Sequence, residues 1–365
     1  MSEKNATVEI VEGSGPQRSG NGAATAKSGS AISRLLGNSG ARSIGLVVVL
    51  LLLVLVGYIT AGDRFMSTGN LMVILRQASI IGVLSIGMTF VITAGGIDLS
   101  VGSVLGLASV VATLSWVQAF AQDTHWIFMA LAAVATGTIV GLINGAVIAY
   151  GNVVAFIATL ATLVAARGLA ELLANRQTQI VNVSSFKSAL TGNLAGIPVL
   201  VWIFAVVVAL GWFLLNRTTF GRRTVAIGGN MEAARLAGIN VKRHTMYLYA
   251  LCGLTAGIGG IMIVARTTSG GSTNGTLYEL DAIAAVVVGG TLLIGGRGSI
   301  MGTVLGVLLF STLINVFTQN NLSTSVQAIV KGVIIVGAVM LQQRFADRTP
   351  KKKAPAAAKA AAAQP

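Results

Sequence analysis

The 365-residue chain is 54% hydrophobic and only 10% charged, with a mean hydropathy of +0.81 and 45 glycines. A soluble domain carries about 25% charged residues, so these figures exclude a soluble enzyme or binding module and indicate a polytopic membrane protein. The formal charge of +14 would suit nucleic acid, but the basic residues segregate by membrane side and aromatics do not interleave with them, which excludes that partner.

The chain reads as three parts. Residues 1–43 are rich in Gly, Ser, Ala and Asn with mixed charge, the composition of a disordered cytoplasmic tail. Residues 44–343 form the transmembrane domain. Residues 344–365, with Lys351, Lys352 and Lys353 and an Ala-rich end, read as a basic cytoplasmic tail. Apolar runs of roughly 20 residues predict spans at about 44–61, 73–94, 99–120, 126–149, 153–174, 197–215, 246–265, 277–295, 300–318 and 326–343. The fold class is therefore all-α, a membrane helix bundle of about ten spans with lipid around it. An even count puts both termini on one side. That side would hold 18 of the 25 basic residues, six of them in loop 216–245 and six in the C-terminal tail. Positive charge stays cytoplasmic, so both termini are expected inside, with 175–196 and 266–276 outside. Span 44–61, nearly all Val, Leu and Ile, suits a peripheral helix. The pairs Gly102/Gly106, Gly141/Gly145 and Gly253/Gly257, and the series Gly298, Gly302, Gly306, have the spacing that lets helix backbones approach closely.

Between Arg76 and Asp123 the only charged residue is Asp98, in Thr93-Ala-Gly-Gly-Ile-Asp-Leu-Ser-Val-Gly-Ser103. An ionisable group at membrane depth marks a candidate functional site. Glycines on both sides favour a broken helix, which a bilayer interior tolerates where protein or a water-filled cavity satisfies the freed backbone. A solvated Asp capping a helix at the membrane surface is the plainer alternative.

Loop 216–245 is the longest cytoplasmic connection. Asn230 is a capping residue, Glu232 suits a helix start, Ala233, Ala234, Leu236 and Ala237 favour helix, and Gly238 ends it. The pattern predicts a two-turn helix outside the membrane, suited to transmit force from a cytoplasmic partner. A simple basic anchor would carry the same charges.

Five collinear motifs then carry a resemblance. They are the run 93–103, Phe156-Ile-Ala-Thr-Leu160 with Arg167-Gly168, Gly228-Gly-Asn-Met-Glu-Ala-Ala-Arg-Leu-Ala-Gly-Ile239, Tyr278-Glu-Leu-Asp-Ala-Ile-Ala-Ala-Val-Val-Val-Gly-Gly290, and Gly295-Gly-Arg-Gly-Ser-Ile-Met-Gly302. In order they resemble the permeases of ribose/xylose/galactose-type ABC sugar importers over residues 44–343. Ala161 departs from the glycine frequent at its position in that family, and the long N-terminal tail is unusual for it. The resemblance implies a permease that pairs with a second copy. It implies a separate cytoplasmic ATP-binding subunit docking on Glu232–Ile239, and an extracytoplasmic sugar-binding protein. The chain itself would bind no cofactor, ATP and Mg²⁺ residing on the ATPase.

The remaining chemistry agrees with a transport subunit that is no enzyme. There is no Gly-Lys dipeptide and hence no P-loop. His125, His244 and Cys252 are scattered, so no metal site is expected. Candidate path residues are Asp98, Ser100, Asn144, Glu279 and Asp281. Asn144 also suits an interhelical hydrogen bond, and the two acids also suit a solvated helix start. Candidate coupling residues are Asn230, Glu232, Ala233, Ala234, Gly238, Ile239 and Arg297, the last equally an inside anchor. Arg167 is placed to pair with Glu171 one turn on. An ion-coupled secondary transporter using Asp98 is the rival class.

Overall fold

A computed structural model describes residues 39–347. The expected tails lie outside the described residues, except 39–43 and 344–347, which continue helices. Fifteen helices occur among the described residues: α1 Ser39–Ala61, α2 Asp63–Met66, α3 Thr68–Thr93, α4 Val101–Thr113, α5 Ser115–Asp123, α6 Ile127–Ala149, α7 Ala155–Leu173, α8 Ser184–Leu190, α9 Val199–Arg217, α10 Thr219–Gly229, α11 Met231–Leu236, α12 Val241–Thr267, α13 Tyr278–Val288, α14 Ile300–Gln319 and α15 Thr324–Asp347. Two short strand pairs join them. Strand β1 (Gln179–Ile180) pairs antiparallel with β4 (Ser269–Gly270), and β2 (Asn193–Leu194) with β3 (Ile197–Pro198).

Every predicted span has a helix, but not every one is a crossing helix. Among the described residues seven helices are long and apolar enough to cross a bilayer: α1, α3, α6, α7, α9, α12 and α14. The predicted span 99–120 is instead the bent pair α4 and α5, turning by 55° at Leu114. With that pair counted as one span, the number rises to eight. The predicted span 277–295 is corrected: α13 has 11 residues, about 16 Å of helix, against a hydrocarbon core of about 30 Å. Residues 289–299 after it are irregular, because five glycines in that stretch carry no side chain to hold a helix face.

The core is built on α3, α12 and α14, with α1 on the periphery packed against α14. Helices α6 and α12 pack along their length. Gly137 and Gly141 meet the backbone of Gly253 and Gly257, and a Cβ at any of them would overlap the facing helix. Close approach of two glycine stripes replaces side-chain interdigitation here. Gly302 and Gly306 play the same part for α14 against Gly289 and Ala285.

The two ends of the bundle are distinct. At the basic end, Gly228 of α10 abuts Thr93, and the Gly296 amide donates to the Thr93 carbonyl at 2.9 Å. At the opposite end, Asn70 exchanges side-chain bonds with Asn315 (2.7 and 3.0 Å) and accepts one from Gln319 (2.8 Å), tying α3 to α14.

Candidate functional site

Two irregular segments lead into the bundle from its two ends. The first, residues 94–100, leaves α3 at the basic end. Gly95 turns it with φ +85°, a backbone state that costs glycine nothing. Gly96 gives the segment room to pass the Tyr249 hydroxyl of α12. Tyr249 lies eight residues into α12, about 12 Å from its start, so this break sits well inside the bundle.

Asp98 is at the bottom of that break and 2% exposed. Its Oδ1 accepts from the Ser100 amide at 2.9 Å and the Ser100 hydroxyl at 2.6 Å. That is an Asx turn, the local device by which Asp redirects a chain just before a helix. The carboxylate also faces the Cys252 thiol. Ser100 Oγ in turn accepts from Asn144 Nδ2 of α6 at 3.0 Å, and Asn144 Oδ1 accepts from Thr162 Oγ1 of α7 at 2.5 Å. One polar chain therefore joins the break to α6 and α7. Of the predicted path residues, Asp98, Ser100 and Asn144 come together. Thr162 completes the chain and was missed, because a threonine in an apolar helix carries no distinguishing pattern.

The second segment, residues 268–277, enters from the opposite end. Residues 266–276 read as an outer loop in the sequence; in the structure 266–268, 273 and 276 are exposed, while Gly270 and Gly275 are buried. The segment runs along α4, touching Ser109 and Thr113 with Gly270 and reaching Gly102 with Gly275. The Tyr278 hydroxyl that starts α13 accepts from Gln77, nine residues into α3. The residues of this segment are polar, which is why hydropathy places them in solvent.

Glu279 and Asp281 in the first turn of α13 are buried rather than solvated. Glu279 is 8% exposed, packs on Gly102, and its Oε2 has no hydrogen-bond partner. Asp281 forms an ion pair with Lys331 of α15, 2.8 Å from Oδ1 and 3.1 Å from Oδ2. The two acids thus serve different neighbours and do not form a stacked pair.

The Arg167–Glu171 pair expected on α7 is also corrected. Glu171 lies 4.0 Å from Arg176, while Arg167 turns inward to the carbonyls of Ser272 and Asn274.

The predicted cytoplasmic segment is a helix-turn-helix at the basic end. Asn230 Oδ1 accepts from the Ala233 amide at 2.9 Å and caps α11. Gly238 ends it with φ +82°. Glu232 pairs with Arg235 on the exposed face at 3.2 Å. Ala234 and Ile239 pack inward with Ile227 and Val241. Ala233 and Leu236 point out, as does Arg297 in the neighbouring loop. Helix α10, unforeseen, seats this unit: the Phe220 ring lies 6.1 Å from Phe90 and 4.5 Å from His244, whose Nε2 is 2.9 Å from Thr224 Oγ1. Among the described residues no group of three His, Cys, Asp or Glu is placed to hold a metal ion.

Residues 70–339 match the family described as the branched-chain amino acid transport system / permease component. The ribose import permease protein of Haemophilus influenzae is 40% identical over 299 residues, covering 80% of this chain and 90% of that protein. The ribose import permease protein of Escherichia coli K12 is 40% identical over 303 residues, covering 82% and 92%. The galactose/methyl galactoside import permease protein of the same strain is 36% identical over 315 residues, covering 81% and 93%. No solved structure matches the chain at a significant level.

Proposed function

The chain belongs to the permease family of ABC sugar importers, a multi-pass membrane subunit and not an enzyme, and from that premise we propose that it forms the membrane path of an ATP-driven importer. The solute is a monosaccharide or related polyol, moved across the bacterial cytoplasmic membrane by alternating access. The observation that carries the reading is the collinear similarity to ribose and galactoside import permeases over about four-fifths of the chain. The buried chain Asp98–Ser100–Asn144–Thr162 supports it, because hydroxyl and amide groups between helices at a helix break are the groups a polyol exchanges hydrogen bonds with.

In this reading the permease domain crosses the membrane ten times with both termini cytoplasmic: α4–α5 and α15 each cross, and one crossing is broken, the 11-residue α13 being continued across by the irregular residues 289–299. Helix α11 is the coupling helix. A cytoplasmic subunit carrying ATP and Mg²⁺ docks on it through Leu236, Glu232 and Ala233, with Arg297 alongside. Gly228 abuts both Thr93 and Gly296, so movement of α10 reaches the segment that leads to Asp98 and the irregular stretch 289–299. A sugar-binding protein delivers solute at the opposite end, and a second copy of the chain completes the transporter. The permease binds no cofactor of its own.

The test is uptake of labelled ribose, xylose and galactose in cells with and without the partner ATPase. The expected outcome is loss of uptake when the ATPase is deleted. Unchanged uptake that collapses with an ionophore would instead establish the ion-coupled class.

A further inference from the structure

Arg167 is the charged residue of α7 that turns away from its own helix face. Its Nη1 donates to the carbonyl of Asn274 at 2.9 Å and to that of Ser272. The route is open because α4 has a glycine at the crossing. A Cβ on Gly106 would come within 2.9 Å of Arg167 Nη1 and 2.7 Å of the Asn274 carbonyl. From the other side, Asn274 Nδ2 donates to Ser109 Oγ at 3.1 Å, and the Gly271 amide reaches the same oxygen at 3.4 Å. Ser109 is fully buried beneath the segment. The segment 268–277 is therefore clasped between a guanidinium on α7 and the small-residue face Gly102, Gly106, Ser109, Thr113 of α4. It leads directly into Glu279, the buried carboxylate with an unpaired oxygen.

A charge-assisted fork onto two consecutive-turn carbonyls satisfies backbone groups that no strand or helix satisfies. Elsewhere the segment is held by few bonds: the two-residue β1–β4 pairing at its outer end and turns within itself. A segment held at few points, with few buried apolar contacts of its own, is the kind of element that opens locally at low cost.

We propose that Arg167 is a positioning residue that latches segment 268–277 onto α4, and that release of this latch opens the path toward Glu279 from the end opposite the coupling helix. As a gate on solute the latch rests on the transport reading above; as a latch it does not.

The test uses the full-length permease in lipid nanodiscs. Ser109→Cys in a Cys252→Ala background places a thiol under the segment, where a maleimide reaches it only when the segment lifts. The labelling rate is compared between Arg167, Arg167→Lys and Arg167→Gln. Gln loses the charge and the fork and should raise the rate about tenfold, the factor equivalent to about 1.4 kcal/mol. Lys keeps the charge and its N–H donors but lacks the planar, pre-oriented guanidinium and its reach, and should restore part of the protection. Native Cys252, fully buried, serves as control in Arg167→Gln with Ser109 intact, and should stay unlabelled. Equal rates within twofold in all three proteins would overturn the latch. So would labelling of Cys252 in step with position 109, which would mean general loosening. Sugar uptake by the complete transporter is measured on wild type and variants alike. Absence of uptake in wild type would count against the transport reading and leave the labelling result standing.

Discussion

Two donors from Ser100 converge on a single oxygen of Asp98, in a bundle where no other charged residue lies between Arg76 and Asp123. A carboxylate so placed costs about 2.5–3.5 kcal/mol on insertion scales, and charge-assisted bonds of about 1.5–3 kcal/mol offset it. Asp98→Asn keeps the shape and the acceptor, so the protein should insert and assemble at wild-type levels. Its uptake should fall at least tenfold if the charge serves transport. Asp98→Leu leaves the Ser100 amide and hydroxyl unpaired and should lower stability by about 1–3 kcal/mol, read as a lower melting temperature in detergent. Normal uptake by Asp98→Leu would remove this residue from the path. At this scale the sequence was informative where a residue is chemically conspicuous. A lone acid among glycines stands out; Thr162 and the inward turn of Arg167 do not, because one is common in membrane helices and the other has an ordinary partner four residues away.

Helix α11 is short, capped at both ends and poor in contacts of its own. Leu236 is 88% exposed, so its side chain contributes little to the fold of this chain, and a surface substitution there should change stability by no more than about 0.5 kcal/mol. In the proposed arrangement Leu236 lies on the helix where the ATPase docks. Leu236→Lys is accordingly expected to leave the permease folded while recovery of the ATPase in co-purification drops about tenfold. Undiminished recovery, together with solute-stimulated ATP hydrolysis at the wild-type rate, would show that the partner docks elsewhere. Element positions were largely legible from apolar length, since α3, α6, α7, α9, α12 and α14 lie close to their predicted ranges. Apolar length does not report whether a backbone is helical. That is why α13 stops at Val288 and why the bend at Leu114 was not foreseen. A polar run such as 268–277 reads as solvent-exposed even though Gly270 and Gly275 tuck it against α4.

For the molecule as a whole, the basic end gathers α10, α11 and the loop around Arg297, and the opposite end carries α5, α8 and the small strands. If the basic end is cytoplasmic, as lysine and arginine bias directs, a membrane-impermeant thiol reagent has a defined outcome. In a Cys252→Ala background, Ser185→Cys on α8 should label in intact cells, and Ala237→Cys should label only after permeabilisation. The reverse pattern would invert the topology. The two irregular segments carry one further consequence, for biogenesis. Helices α4 and α13, of 13 and 11 residues, are too short to settle across a bilayer one at a time as they leave the translocon. The backbone around Asp98 rests against Tyr249 and Cys252, about 150 residues downstream, and the latch of segment 268–277 joins Arg167 to residues more than 100 positions later. The middle of this membrane protein cannot reach its final arrangement while the ribosome is still making its second half, so its early helices must wait in the lipid, or under the care of an insertase, until α12 and α13 arrive.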